Sequence, residues 1–204
     1  MNIRFHKHDL PADYSAAGIV AIDTETMGLN PARDRLCVVQ LSNGDGSADI
    51  VQILPESPQP ENLIALLENE KILKLFHYAR FDMGILYKSL GIMPGPVYCT
   101  KIASRLVRTY TDRHGLKDLA RELLGVDLSK QQQSSDWGAE KLSDAQLAYA
   151  ASDVLYLHEM KNILDSMLER EERSHLAASC FYFLPTRVLL DLAGWPETDI
   201  FAHS

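Results

Sequence analysis

A chain of 204 residues is long enough to bury a core as one domain, and a formal charge of −8 is too acidic to hold long nucleic acid by bulk electrostatics. The opening residues, MNIRFHKHDLPADY, lack the apolar core of a signal peptide, and no apolar run approaches transmembrane length, so a cytoplasmic protein is expected. Three cysteines, Cys37, Cys99 and Cys180, are odd in number and widely spaced, which fits buried reduced thiols and offers no zinc-ligand spacing.

In chain order, Ile19–Glu25, Leu36–Ser42 and Asp49–Ile53 are Val- and Ile-rich runs that predict three strands. Asn43-Gly44-Asp45-Gly46 between the second and third is a hairpin-turn signal. After Pro60 the helical pattern NLIALLEN leads into a fourth strand, Ile72–Phe76. A helix over Ala79–Leu90 is stopped by Gly91, a short strand lies near Val97–Cys99, and helices follow at Lys101–Arg108 and Leu116–Leu124, the latter ended by Gly125. Residues 129–137, SKQQQSSDW, have no periodicity and predict a loop. Ser143 with Gln146 then makes a capping box for a long helix running to about Glu169. Strands first as a meander and then alternating with helices predict an α/β fold, a mixed sheet flanked by helices. The last stretch, from about residue 185 to 204, is an apolar tail with Leu189, Leu190, Trp195, Ile200 and Phe201. It either folds back on its own core or docks on a neighbouring subunit.

Charge is unevenly spread. Residues 101–121 carry six basic side chains, Lys101, Arg105, Arg108, Arg113, Lys117 and Arg121, against Asp112 and Asp118. The segment reads either as a helix pair with solvated basic faces or as a phosphate-binding wall.

The most informative residues are four acids and a tyrosine in three distant stretches: Asp23 and Glu25 in VAIDTET, Asp82 in HYARFD, Tyr149 and Asp153 in YAASD. On a strand, residues two apart share a face, and on a helix residues four apart do. Taken singly, an Asp-x-Glu pair is usually a surface feature and a Tyr-x-x-x-Asp pair a solvated helix face. Asp82, however, lies between Phe81 and Met83, and Asp153 among Ala150, Ala151, Val154 and Leu155. Clustered carboxylates repel one another unless a positive group joins them, and hard divalent cations do so through oxygen. Two such ions about 3.5–4 Å apart activate a water and stabilise the leaving oxygen of a phosphodiester. Asp23 is the natural bridging ligand, with Glu25 and Asp153 completing one ion's shell and Asp82 on the second. Tyr149, one turn before Asp153, is placed to orient the attacking water.

In order and spacing the three stretches resemble the three motifs of the DEDD superfamily of 3′–5′ exonucleases, and Tyr149 resembles the tyrosine subclass typified by ribonuclease D. The resemblance covers roughly residues 18 to 170. It implies a ribonuclease H-like (DnaQ-like exonuclease) fold, hydrolysis of one nucleotide at a time from a 3′ end, and two divalent cations, Mg2+ or Mn2+. It implies Asp23, Glu25, Asp82 and Asp153 as metal ligands and Tyr149 as the water-positioning residue. Ribonuclease D carries further helical domains for which this length leaves no room. The RTYTDRHGLK and SKQQQSSDW segments and the DIFAHS ending are similar instead to the nano-ribonuclease C group, which implies short single-stranded RNA or dinucleotides as substrates and a homo-octamer as the assembly. Further substrate contacts expected on this basis are Leu29 as a wedge against the terminal bases and His77 at the terminal sugar or phosphate. Arg108, Tyr110, Arg113 and His114 are expected at the far phosphate, with Lys130 and Gln133 reaching from the loop before the catalytic helix. The competing readings are a DNA exonuclease of repair or proofreading type, a non-catalytic nucleic-acid-binding module, and a different metal hydrolase such as a phosphatase.

Overall fold

Residues 2–129 and 131–203 are described by a computed structural model. The expected strands form, and their residues explain their places. β2 (Ile19–Thr26), β3 (Leu36–Ser42) and β4 (Ser47–Gln52) pair antiparallel, and the β3–β4 turn uses Gly44 and Gly46 at φ of 77° and 80°, a region that disfavours other residues. β3 and β4 are buried throughout, so both faces of the sheet are covered. β5 (Leu73–Phe76) lies parallel to β2 on its other side, and β6 (Val97–Cys99) parallel to β5.

One strand was not expected. β1 (Asn2–Lys7) pairs parallel to β4 and completes the order β1-β4-β3-β2-β5-β6. Its sequence, NIRFHK, is mostly exposed and shows no buried face. Polar contacts tie it down instead, since buried Asp49 accepts Arg4 Nε at 2.8 Å and faces His6 Nε2 at 2.8 Å.

The helices cover the sheet on both sides. α1 (Glu61–Glu68) and α2 (Ala79–Leu90) pack with Val20, Ile22 and Phe76, and Gly91 closes α2 at φ 77°. The other face holds Ala21, Val38 and Leu75 beneath α5 (Asp144–Leu155) and α6 (Leu157–Arg170). Between them come α3 (Thr100–Val107) and α4 (Leu116–Leu119), and α4 runs into one π-helical turn, Ala120–Leu124, that ends at Gly125.

Three expectations need correction. The single helix from Ser143 to about Glu169 is two helices that meet at Tyr156, at φ −102° and ψ −4°. Their partners differ: α5 lies on strands β2, β3 and β4, whereas α6 packs mainly on α3. The apolar tail does not start near residue 185, because α7 (Ser174–Leu192) continues straight through Pro185. Burial of Leu184 and Val188 beside α2 holds the helix across the proline, which removes one backbone donor. Finally, Cys37 and Cys99 are buried but Cys180, on α7, is exposed. Among the described residues no helix is long and apolar enough to cross a membrane.

Candidate active site

Strand alternation sets the site. Ile22 and Thr24 of β2 are buried, Ile22 against the α2 layer, while Asp23 and Glu25 turn to the face that α5 covers. The capping box at Ser143 fixes the start of α5: Gln146 N donates to Ser143 Oγ at 3.2 Å and Ser143 N to Gln146 Oε1 at 2.9 Å. Tyr149 and Asp153, one turn apart on that helix, therefore meet the two strand acids. Asp23, Glu25 and Asp153 each offer an oxygen within 4.8 Å of the other two.

Asp82 stands beside this trio. It is only 2% exposed, and its Oδ1 accepts the Thr24 hydroxyl at 2.7 Å, which ties α2 to the strand that carries the other acids. Asp23 Oδ2 accepts Gln40 Nε2 at 2.8 Å from the facing position on β3.

The electrostatics are those of a site short of positive charge. Burial pushes Asp23 up to about 7, and burial with the charges of Asp23, Asp153 and Asp82 pushes Glu25 up to about 10. Asp82 and Asp153 are driven well above the carboxylate range by burial first and then by Asp23. Tyr149, half-buried with its ring centroid 6.0 Å from that of Trp137, is also raised, by burial and then by Asp153, Glu25 and Asp23. The phenol therefore keeps its proton and is available as a hydrogen-bond donor. Carboxylate oxygens this close, and this reluctant to ionise alone, fit divalent cations as their missing partners.

Asp23, Glu25 and Asp153 open onto a cleft of about 310 Å³, lined also by Leu29, His77, Tyr78, Lys101, Lys117 and Gln133. A model of the family described as 3′–5′ exonuclease matches residues 5–169. This chain belongs to the 3′–5′ exonuclease family. Within that family, ribonuclease D of Jannaschia sp. is 34% identical over 76% of this chain, and DNA polymerase I of Aquifex aeolicus is 40% identical over 72%. The chain spans 41% and 24% of their respective lengths. Among solved structures, Brucella melitensis NrnC is 61% identical with a TM-score of 0.95 and full coverage of both chains. Structures of that protein with bound Mg2+ and bound to pGG match at 59% and 60% identity, with TM-scores of 0.94 and 0.95 and the same coverage. The mixed six-stranded sheet is thus the ribonuclease H-like sheet of these exonucleases.

Three residues expected to contact substrate line this cleft. Leu29 is 88% exposed and lines the cleft, His77 forms part of its wall, and Gln133 reaches it from the loop before α5. Lys130 lies outside the described residues.

The phosphate clamp is different. Arg108 is fully buried and committed: Nη1 donates to Ser104 Oγ at 2.9 Å and to the Arg113 carbonyl at 2.8 Å, and Nε donates to Glu122 Oε1 at 3.1 Å. Tyr110 donates its hydroxyl to the same Glu122, and His114 Nδ1 lies 2.9 Å from Ser104 Oγ. Arg108, Tyr110 and His114 hold the α3–α4 connection, and neither they nor the exposed Arg113 line the cleft around the acids.

Among the described residues, the cations that do line it are Lys101 and Lys117, from the same basic segment. Lys101 sits with Nζ 4.1 Å from the Tyr78 ring centroid, and burial followed by Arg105 lowers its pKa. Net charge flagged the segment, but α-helical position decides which of its side chains turn inward. The sequence places both lysines in the basic segment without singling them out as contacts, and carries no signal for Tyr78.

Proposed function

We propose that this chain is a divalent-metal-dependent 3′–5′ exoribonuclease that hydrolyses very short RNA, including dinucleotides, to mononucleotides. The observation that carries this reading is the convergence of Asp23, Glu25 and Asp153, with Asp82 behind and Tyr149 beside them, on one small cleft. Asp23, Glu25 and Asp153 would hold one Mg2+ or Mn2+ ion, with Asp82 on a second beside Asp23. Cations bound there supply activation of water and neutralisation of charge on the leaving oxygen.

The protein's own groups do the rest. Tyr149, kept protonated by its acidic neighbours, donates a hydrogen bond that orients the attacking water. Leu29, apolar and exposed at the cleft, offers a surface for the bases. Lys101 and Lys117 face the phosphates. A cleft of about 310 Å³ is at the small end of the range for ligand pockets, about 300–1,000 Å³, which suits a terminal nucleotide more than a long strand. A net charge of −8 likewise gives long RNA little to follow. The binding of pGG by NrnC supports the same reading. Exposed apolar side chains on α7 and beyond it are read as contact surface between copies of this chain in a homo-oligomer, an octamer on the strength of the nano-ribonuclease C resemblance.

A length series of 5′-labelled RNA from two to about ten nucleotides, assayed with Mg2+ and with Mn2+, tests the proposal. Fastest turnover at the shortest lengths is expected, and equal rates across the series would remove the short-RNA assignment. The likeness to a DNA polymerase I favours a second reading as a DNA exonuclease. Matched DNA dinucleotides in the same assay separate the two.

A further inference from the structure

Gln40 sits on β3 between Val39 and Leu41, on a strand whose residues are all buried. An amide side chain is costly in such a place unless both of its ends find partners. Gln40 satisfies one end. Its Nε2 donates to Asp23 Oδ2 at 2.8 Å, across the strand pair that sets the two residues opposite each other. Its Oε1 is buried with no hydrogen-bond partner among the described residues. An apolar side chain of the same length would fill this space without an orphaned carbonyl, so packing does not account for a glutamine here. What the amide supplies is a donor aimed at one acid of the site. Gln52, on the neighbouring β4, has the same chemistry and a different partner. It too is buried with an orphaned Oε1, but its Nε2 donates to the carbonyls of Ala139 at 2.9 Å and Glu140 at 3.4 Å, in the loop before α5.

We infer that Gln40 is a positioning residue of the carboxylate site, whose neutral N–H fixes the Asp23 carboxylate in the orientation that receives divalent cations. A carboxylate oxygen has two acceptor sites, so the bond stops rotation of the group without using up its capacity for a cation. Against the ionised acid only Nε2 can face Asp23, because the turned amide would set a carbonyl oxygen against a carboxylate oxygen. The donor's neutrality matters as much as its direction. A lysine or arginine would hold Asp23 as firmly, but it would bring the positive charge that the cations are to supply and so weaken their attraction. Asp82 is held in the same manner, by the buried hydroxyl of Thr24. Hydrogen-bond partners behind a metal ligand are typically worth about ten- to a hundredfold in metal affinity or activity.

This inference rests on the metal-dependent reading of the site, and the test separates the two. Mn2+ binding without substrate is followed by the electron paramagnetic resonance of the free ion, in wild type, Gln40→Met and Gln52→Met. Methionine keeps the length of the side chain and removes the donor. Gln40→Met should bind Mn2+ about tenfold more weakly or worse, and should gain correspondingly less in melting temperature from added Mg2+. At saturating metal its kcat should fall while KM for a ribodinucleotide is little changed, since the donor acts through Asp23 and not on the substrate. Gln52→Met should lose stability without metal, through its two loop carbonyls, and keep wild-type Mn2+ affinity. Gln40→Asn retains an amide but is one methylene too short to reach Asp23. It should bind Mn2+ as weakly as Gln40→Met, and it carries the test if Gln40→Met does not fold. Wild-type Mn2+ affinity in either Gln40 variant, or an equal loss in Gln52→Met, would overturn the inference. A wild-type protein that binds no Mn2+ would defeat the metal-dependent reading itself.

Discussion

Asp23 is raised to about 7 from an ordinary value of 3.8, and that shift makes a prediction about the protein without metal. A carboxyl that holds its proton more tightly when folded contributes stability that is full below 3.8 and lost as pH rises to about 7. In a chelating buffer the melting temperature should therefore fall from pH 5 to pH 8, and Mg2+ should shrink that fall by taking the place of the protons. Asp23→Asn should flatten the profile, raise the metal-free melting temperature near neutrality, and abolish turnover. A steeper loss of stability in Asp23→Asn than in wild type would contradict the crowded-carboxylate account. Tyr149→Phe keeps the ring against Trp137 and removes only the donor. Its kcat should drop on the order of a hundredfold with KM little changed, because orientation of the water matters in the transition state. A rise in KM alone would make Tyr149 a binding residue.

Among the elements, the α3–α4 connection gives the sharpest test of the corrected reading. Arg108 is buried beneath contacts to Glu122, Ser104 and the Arg113 carbonyl. Arg108→Gln should lower stability by roughly 2 kcal/mol, less than the ~3–5 kcal/mol of a wholly buried pair because Glu122 faces solvent. It should leave KM for a ribodinucleotide unchanged at temperatures where the protein is folded. Lys117→Ala should do the reverse, weakening substrate binding and its salt dependence with little effect on melting. Denaturation curves and KM at two ionic strengths distinguish the two outcomes. The same segment shows what the sequence made legible. Strands β2 to β6, the glycine stops at Gly91 and Gly125 and the capping box at Ser143 follow from local pattern, and the shared face of Asp23 and Glu25 follows from the strand period alone. β1 escaped because its alignment comes from Asp49, more than forty residues away, and not from a buried face. The bend at Tyr156 and the passage of α7 through Pro185 depend on which neighbours each half packs against. Local propensity does not contain those neighbours.

At the scale of the whole molecule, the C-terminal region is held to the chain without being buried in it. Arg80 Nη2 donates to Asp191 Oδ1 at 2.7 Å and to the Pro196 carbonyl at 2.6 Å, while Arg187 reaches the carbonyls of Trp195 and Thr198. These contacts fix the backbone after α7 but leave its large side chains in solvent. Phe201 is 77% exposed although its ring lies 5.9 Å from that of Phe183, and Tyr182 on α7 is 90% exposed. Leu189, Trp195 and Ile200 are also exposed. Of the two fates open to the tail, burial in its own core is thus not what the fold provides for these side chains, and the proposed contact between copies of the chain would remove this apolar area from water. Deleting the tail would also strip Arg80 and Arg187 of their carbonyl partners, so the cleaner test leaves the backbone in place. Tyr182→Glu with Phe201→Glu should keep the fold and the carboxylate site while lowering the mass seen by light scattering toward that of a single chain. Charges forced into an apolar contact are costly to desolvate, whereas on an open surface they cost almost nothing. An assembly of unchanged mass would mean that the copies meet through another face.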